Sequence, residues 1–360
     1  MSYVRVLFEW ANSHGILAVL ATSSDSLTSP EFHLRFPSGL LASQTINLGA
    51  LADIGGAGYR TWISDSLDQV ELEQPNARVL ILESDKLLPW ISLRPCVQRH
   101  KTSVLVMRMP PRIGRRPLRA IDVAKRAMVA VAKFRGVRVL GLSPATAISD
   151  SYFLHGYAAT PDPVDFATTA TMVHEYRTAR NMEDQTTWLG IFGNISSRKN
   201  VDLAADAIVA SGLDRVGLLV AGQISNDELE RCTPSFDRLI AAGGRVVVDN
   251  RLLTDQEIDA AISSCSIVAV LHSSAGPSGI LGKAAAAGAF VITAGPHTLR
   301  DDQERLGLEG EHVDLNLRGV AFGLNVAVSR LNSGERRILP VPVPADGTEF
   351  ARVLIGTIHG

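Results

Sequence analysis

The chain has few cysteines and no long apolar run, and both absences limit what it can be. Its three cysteines, Cys96, Cys232 and Cys265, lie far apart and form no CxxC pair. We therefore expect buried thiols in a reducing compartment, not disulfides or zinc ligands. No apolar run approaches the ~20 residues that a membrane-spanning helix needs. The apolar stretch Gly15–Thr22 is too short, and its N-terminal flank too weakly basic, for a signal peptide, so a cytoplasmic location is expected.

The chain also lacks an excess of charge of either sign. Its formal net charge is -2, so the global charge indicates neither nucleic acid nor an anionic membrane as a partner. Internal repeats and low-complexity stretches are missing as well. What remains is a composition of 46% hydrophobic and 20% charged residues, which is typical of a soluble globular protein. At 360 residues the chain is long enough for two α/β domains.

Strand-like and helix-like patterns alternate strictly in the second half of the chain. The predicted strands are short apolar runs at Trp188–Gly193, Val216–Gly222, Arg245–Asp249, Ile267–Leu271 and Phe290–Ala294. The predicted helices between them are Asn200–Ala210, Asn226–Ala242, a helix that Thr254 and Glu257 begin as a capping box, and Ile280–Ala287. Because the strands are continuously apolar, we expect a parallel sheet that is covered on both faces.

The first half is less regular. Strands are predicted at Arg78–Glu83, Ser103–Met109 and Val137–Ser143, with an amphipathic helix at Ala120–Phe134. The start has two interpretations, and the favoured one is a first strand at Val4–Glu9 followed by a loop through His14. The other is a helix at Tyr3–Ser13 that leads into a strand at Ile16–Thr22. The expected division is an N-terminal domain at 1–165, a linker at 166–185, a second domain at 186–345 and a C-terminal helix at 346–360.

The first strand-to-helix junction of the second half has the features of a phosphate site. Gly193 ends a predicted strand, and Arg198 and Lys199 arrive where a helix begins. A helix N-terminus combined with a cation favours phosphate. The alternative is an ordinary loop with solvated charges.

Two further junctions should emerge at the same edge of the sheet, where ligands bind in doubly wound folds. At the second, Gly222 precedes Gln223 and would let a ligand approach the backbone. The third runs from His272 to Lys283, and its small residues open into an alanine-rich helix. The free amides of Ser278, Gly279 and Ile280 would then face a diphosphate. A tight glycine turn that allows close helix–sheet packing is the competing interpretation.

Together these junctions resemble the C-terminal domain of the retaining GT-B glycosyltransferases called glycosyl transferases group 1, over roughly residues 142–295. Ser143 and Pro161–Asp165 are similar to that family's serine-bearing strand and its PNPVD segment. Lys199 matches a lysine that holds the donor diphosphate. The partner arginine is Asn194 here, so Arg198 or Arg251 would have to replace it.

The chain departs from that family in the third junction. The family's two glutamates, eight residues apart, align with Ala275 and Lys283, so both carboxylates are absent. Ser278, Gly279 and Ile280 resemble the serine/glycine loop that more distant GT-B enzymes use to bind phosphate through backbone amides. If a nucleotide binds, Lys283 would turn toward its diphosphate as a second cation. Otherwise Lys283 lies on a solvated helix face.

The resemblance implies an α/β protein of the GT-B type, in which two Rossmann-like domains with parallel sheets face a cleft. It implies transfer of a sugar from a nucleotide-diphosphate sugar, with retention and without a metal or other cofactor. The alternative is an inactive GT-B protein that serves as a nucleotide sensor or as the partner subunit of a transferase. The expected donor-binding residues are Gly193, Asn194, Arg198, Lys199, Gly222, Gln223, Arg251, His272, Ser274, Ser278, Gly279, Ile280 and Lys283.

The N-terminal half offers weaker candidates for the acceptor side. A glycine loop with Gly55 and Gly56 would line the cleft, and the basic segment with Arg112 and Arg115 would hold an acidic or lipid-phosphate acceptor. His14 is the candidate catalytic base, although a lone histidine is more often structural and such a basic segment more often solvated. The expected partners are a nucleotide sugar and a small-molecule, glycan or lipid-linked acceptor, without nucleic acid. Peripheral membrane contact and a homodimer are compatible with the sequence.

Overall fold

A computed structural model describes most of the chain as two compact units. The described residues are 2–40, 44–48, 56–75, 77–82, 88, 102–107, 120–143, 158–273, 278–334 and 347–359. Unit 1 comprises Met1–Ser143, Ile148–Pro163 and Ala345–Gly360, and unit 2 comprises Pro144–Ala147 and Val164–Pro344.

Unit 1 contains a four-stranded parallel sheet in the order β3-β4-β5-β6 and a separate parallel pair, β1-β2. Its elements up to the crossing into unit 2 are α1 (Ser2–Ser13), β1 (Leu20–Thr22), α2 (Ser24–Leu27), α3 (Pro30–Arg35), β2 (Thr45–Asn47), α4 (Gly56–Glu73), β3 (Val79–Ile81), β4 (Thr102–Val106), α5 (Ala120–Phe134), β5 (Arg138–Ser143) and β6 (Ala158–Pro161). The predicted helix α5 and the three predicted strands, here β3, β4 and β5, are confirmed.

Unit 2 is built on a six-stranded parallel sheet in the order β12-β11-β10-β7-β8-β9. Its elements are α6 (Ala170–Ala179), β7 (Thr187–Phe192), a 3₁₀ turn (Ser197–Lys199), α7 (Val201–Ser211), β8 (Val216–Ala221), α8 (Asn226–Ala241), β9 (Arg245–Asp249), α9 (Asp255–Ser263), β10 (Ile267–Leu271), α10 (Gly279–Ala287), β11 (Phe290–Ala294), α11 (His297–Arg305), β12 (Gly310–Val313) and α12 (Leu317–Ser333). The alternation predicted for the second half is confirmed, and so is the capping box of Thr254 and Glu257.

Both faces of the unit 2 sheet are buried, as the continuous apolar runs predict. Alternate strand residues such as Leu189 and Leu218 join a core with α7, α8 and α12. Their neighbours, such as Trp188 and Leu219, join a second core with α6, α9, α10 and α11. The chain proceeds outward from β7 through β8 to β9, then returns to the other side of β7 as β10. A crevice therefore opens between the carboxyl ends of β7 and β10.

The favoured interpretation of the N-terminus is wrong, because residues 2–13 form helix α1 and not a strand through Val4–Glu9. The helix Gly347–His359, α13, returns to unit 1 and packs against α1. Tyr3, Val6, Leu7 and Trp10 follow helical spacing, and they meet Phe350 of α13 in one core. Burial of that stripe decides for the helix, and the first strand comes later, as β1.

Two further segments differ from their sequence-based interpretation. Residues 166–185, predicted as a linker, contain helix α6, which Thr169 caps and whose Tyr176 is buried in unit 2. A mostly polar sequence concealed this helix, because a single aromatic residue carries much of its burial. Gly56, predicted in a glycine loop, begins helix α4 instead.

Candidate functional site

The loops after β7 and β10 meet at the crevice between these two strands. The backbone carbonyl of Arg198 accepts a hydrogen bond from the amide of Ser273 (3.0 Å). Asn200 stands between the 3₁₀ turn and α7 in a left-handed conformation (φ 50°), and its side-chain amide donates to the Leu271 carbonyl (2.8 Å). These bonds fix the cationic turn against the end of β10. Asn200 was not predicted, although asparagine's tolerance of positive φ was a usable signal.

Two glycines shape the floor of the first loop. Gly193 (φ +90°) and Gly222 (φ +135°) both have backbone conformations that other residues rarely adopt. A Cβ atom at Gly222 would overlap the Gly193 carbonyl, so this glycine allows the two loops to pack together. Gln223, which follows, is exposed, and its backbone carbonyl accepts from the Ile195 amide (2.7 Å).

Lys199 is a buried cation at the end of the first loop. Only 7% of the residue is exposed, and its ammonium donates to the carbonyl of Phe192 at the end of β7. Burial, with the neighbouring charge of Arg198, lowers the pKa of Lys199 to about 8. In the interactions described, the Lys199 ammonium has no anionic partner. An anion bound beside it would offset the free-energy cost of burying its charge.

Lys199 shares a small recess with the third junction, which we call the switch-point recess. It is lined by Ile191, Phe192, Lys199, Ala269, Val270, Leu271, His272, Ser278 and Ile280. Four of the predicted donor-binding residues, Lys199, His272, Ser278 and Ile280, therefore meet in one place. The structure brings together what the sequence could only assign to separate loops.

His272 is held by the cationic turn. It is buried at the end of β10, and its Nδ1 lies 3.2 Å from Nη1 of Arg198. A guanidinium has only donors, so Nδ1 must be the acceptor and the imidazole proton must reside on Nε2.

Helix α10 begins beside the recess. Ser278 is its N-cap residue with an extended backbone, and the Ser278 side chain makes no capping hydrogen bond. Gly279, the first helical residue, is exposed. The amides of this first turn are thus not capped by Ser278, which suits a helix start that receives an anion.

Solved structures that are similar to the chain are glycosyltransferases. HepE from Anabaena, solved with UDP and glucose, is 13% identical with a TM-score of 0.65, over 99% of this chain and 94% of HepE. WaaG, a glycosyltransferase involved in lipopolysaccharide biosynthesis, is 12% identical with a TM-score of 0.61, over 98% of this chain and 95% of WaaG. Sucrose-phosphate synthase from Thermosynechococcus elongatus is 13% identical with a TM-score of 0.61, over 99% and 88%. No family model and no curated protein matches the sequence.

The chain has the GT-B fold. This confirms the predicted fold class. Among the described residues of this GT-B chain, no three His, Cys, Asp or Glu side chains cluster at metal-ligand spacing. No described helix is both long and apolar enough to cross a membrane.

Arg251, one of two candidates to replace the arginine at Asn194, is engaged by carboxylates. Its Nε donates to Asp249 (2.9 Å), and its Nη1 lies 2.8 Å from Glu257. Asp249 also accepts from Arg180, so a continuous ion-pair network follows β9. Arg198 adjoins Lys199 and contacts His272, both of which line the recess, so it is better placed as the replacement. Asn194 itself is exposed at the start of the first loop of unit 2.

Lys283 does not lie on a solvated helix face, which was one of its two predicted positions. Its ammonium contacts the carboxylate of Asp259 on α9 (2.5 Å) and the backbone carbonyl of Asp165 (2.6 Å). Asp259 is only 2% exposed, and its other oxygen accepts from the Ala167 amide (3.0 Å). Lys283 is thus paired with a buried carboxylate and largely screened from solvent. It joins α10, α9 and the segment that enters unit 2.

His14 lies in unit 1, between helix α1 and strand β1. It follows helix α1, its Nδ1 is 2.9 Å from the Trp10 carbonyl, and its ring stacks on Trp10 with centroids 3.9 Å apart. The reason for proposing it as a base, a position after the first strand, is therefore wrong. Gly55, Arg112, Arg115 and Ser274 lie outside the described residues.

Proposed function

We propose that the chain is a glycosyltransferase that moves a sugar from a nucleoside-diphosphate sugar to an acceptor. The observation that carries the proposal is Lys199, a buried cation at the carboxyl end of the first strand of a GT-B donor unit. Burying a cation without an anionic partner is unfavourable unless a ligand supplies the charge. A diphosphate bound at the opening of the switch-point recess would supply it.

This arrangement would stabilise the diphosphate leaving group. As the anomeric bond breaks, negative charge builds up on the diphosphate, and fixed positive groups beside it lower the barrier. Lys199 would contribute a full charge, and Arg198 a second one. The first-turn amides of α10 at Ser278, Gly279 and Ile280 would contribute the partial charge of a helix N-terminus. The Nε2–H of His272 adds a further donor.

The finer features of the reaction are part of the proposal. Two cations and a helix start can balance a diphosphate without a metal, so we propose metal-independent transfer. Retention of the anomeric configuration is proposed from the resemblance to the group 1 transferases. HepE, solved with UDP-glucose, supports a uridine-diphosphate sugar as the first donor to test. The acceptor would be a small molecule, a glycan or a lipid-linked sugar bound by unit 1.

One observation favours a second candidate, an inactive GT-B protein that senses a nucleotide or assists a transferase. The α10 position where the resembled family carries a carboxylate is Lys283, and this lysine has a structural role with Asp259. A site of this kind could bind the diphosphate and fail to position the sugar for transfer.

A ligand panel tests both candidates. The thermal unfolding of the full chain is followed with UDP, GDP and ADP and with their sugars. A ligand at 100 times its Kd stabilises the native state by about 2.7 kcal/mol. Hydrolysis or transfer of the stabilising sugar nucleotide, unaffected by EDTA, supports the metal-independent enzyme. Binding without turnover supports the sensor, and no stabilisation by any nucleotide contradicts both.

A further inference from the structure

Helix α10 packs against residues 164–167, a short segment that we call the strap. The strap is the part of the chain that enters unit 2 after β6. Its first residue, Val164, is buried in the second core of unit 2. A Cβ atom at Gly282 of α10 would lie only 2.3 Å from Cγ2 of Val164. The strap and α10 therefore approach each other as closely as a glycine allows.

Three polar contacts join the strap to α9 and α10. The Lys283 ammonium of α10 donates to the Asp165 carbonyl of the strap (2.6 Å) and to the Asp259 carboxylate of α9 (2.5 Å). The second carboxylate oxygen of Asp259 accepts from the Ala167 amide of the strap (3.0 Å). These contacts form a closed ring, so each of the three elements is fixed to the other two. The Lys283 and Asp259 side chains are only 17% and 3% exposed, so solvent does little to weaken the ring.

Apolar packing alone holds α10 weakly. The helix has nine residues, and of its four buried residues Leu281 alone is large, since the others are one glycine and two alanines. A helix of this length is not stable by itself in water, so its position depends on its contacts. Apolar contacts have no direction, whereas hydrogen bonds require a particular geometry. The ring of polar contacts therefore determines how α10 is oriented.

The orientation of α10 decides where its first-turn amides lie. Ser278 and Ile280 line the switch-point recess together with Lys199, and Lys283 lies one helical turn after Gly279. A shift of α10 by about 1 Å would move its first turn away from a bound phosphate, and a misplacement of that size can cost roughly 100-fold in rate.

We propose that Lys283 is a positioning residue of the donor site. Through Asp259 and the strap it holds the first turn of α10 where the amides receive the diphosphate. The inference rests on the proposed function, because it assigns support of that anion site to a residue that acts through others. Supporting contacts of this kind determine how precisely a binding site is held. The coupling is reciprocal, so a bound diphosphate should also stabilise the strap.

Calorimetry with UDP, or with GDP or ADP if one of these stabilises wild type instead, tests the ammonium. Lys283→Met should bind roughly tenfold more weakly at a temperature where circular dichroism shows that it is folded. Lys283→Arg should bind nearly as tightly as wild type, because a guanidinium can donate to both oxygens. Arg238→Met is the matched control. It removes the cation of another helix–helix ion pair, with Asp206, on the opposite face of the sheet, and should bind like wild type.

A size exchange tests the contact between the strap and α10 without a change of charge. Gly282→Ala should weaken nucleotide binding, because the added methyl group would overlap Cγ2 of Val164 and push α10 away from the strap. Adding Val164→Ala should restore most of the affinity, because the nearest remaining Val164 atom, Cβ, lies 3.4 Å from the added methyl group. A double variant that binds no better than Gly282→Ala would contradict a role for the strap.

Hydrogen exchange tests the coupling in the other direction. Saturating nucleotide should slow exchange of the Ala167 amide in wild type more than that of the Leu229 amide on α8, and Lys283→Met should lose this difference. Unchanged affinity in Lys283→Met, or an equal loss in Arg238→Met, would overturn this inference and leave the proposed function intact. Absence of nucleotide binding to wild type would overturn both.

Discussion

Arg198 donates a hydrogen bond to Nδ1 of His272, and this bond decides which nitrogen of the imidazole carries the proton. The two residues are separated by 74 positions and belong to the loops after β7 and β10. We predict that the ring proton of His272 lies on Nε2. Long-range ¹H–¹⁵N correlation of the imidazole nitrogens measures this directly, and Arg198→Leu should change the pattern. A cationic ring, or a proton at Nδ1, would contradict the assigned bond.

Replacing Lys199 should weaken nucleotide binding more than it disturbs the fold. Lys199→Met keeps the apolar stem and removes the cation, so UDP affinity should fall roughly 10- to 100-fold, as expected for a charged hydrogen bond. Isothermal calorimetry measures the affinity. Arg245→Met is the control. It removes a cation that is paired with Glu183 and that lies at the amino end of β9, whereas the site lies at the carboxyl ends of β7 and β10. Unchanged affinity in Lys199→Met would remove Lys199 from the site.

The affinity for UDP should also depend on pH in a defined direction. The pKa of Lys199 is lowered to about 8 by burial, so the free protein loses this cation as pH rises through about 8. Affinity should therefore decline between pH 7.5 and 9 in wild type and stay level in Lys199→Met. Calorimetry across that range tests it, and the same decline in both proteins would assign the effect to another group.

The ion pair of Lys283 and Asp259 should matter for stability. Lys283→Met leaves a buried carboxylate without its cation, which typically lowers the free energy of unfolding by about 3–5 kcal/mol. Combining it with Asp259→Asn should restore part of that loss, because the amide oxygen can still accept from Ala167. Urea unfolding measures both, with Arg300→Met as an exposed ion-pair control. A loss below about 1 kcal/mol for Lys283→Met would show that the pair behaves like a surface pair.

Asp162 should make unit 1 less stable as pH rises. It is 5% exposed, accepts a hydrogen bond from Tyr3 (2.8 Å), and burial raises its pKa to about 6. Between the unfolded value near 4 and this folded value, the native state binds the extra proton, so stability falls as pH rises through that window. Asp162→Asn should gain up to about 3 kcal/mol relative to wild type between pH 4 and pH 7. Denaturant unfolding at pH 4 and at pH 7 measures the difference in unfolding free energy between Asp162→Asn and wild type. A difference that is the same at both pH values would contradict the prediction.

Unit 2 could be predicted from the sequence because its strands are buried on both faces. A run such as Ile267–Leu271 has no polar interruption, and turn residues mark its ends. The N-terminus was less clear, because Val4, Val6 and Phe8 alternate as in a strand, whereas Tyr3, Val6, Leu7 and Trp10 follow helical spacing. Only their packing on α13, more than 300 residues later in the sequence, decides between the two.

The candidate site was predictable in its residues and not in their pairing. Lys199, His272 and Ser278 could be assigned to loops, and the order of the strands brings those loops together. The partners of the predicted site residues lie elsewhere in the chain and could not be assigned from the sequence. Asp259, for example, lies 24 residues before Lys283, and no spacing rule connects an acid on one helix to a lysine on the next.

Helix α13 has a consequence for the order in which the protein can be made. Unit 1 begins at the first residues of the chain, yet Phe350, Ala351 and Leu354 cover the core residues Leu105 and Leu140. A ribosome synthesises all of unit 2 before it reaches α13. Unit 2 can therefore fold while the chain is still growing, whereas the early-synthesised strands of unit 1 stay partly uncovered until the last helix emerges. The core of unit 1 is therefore completed later in synthesis than that of unit 2, although its first strands are made earlier.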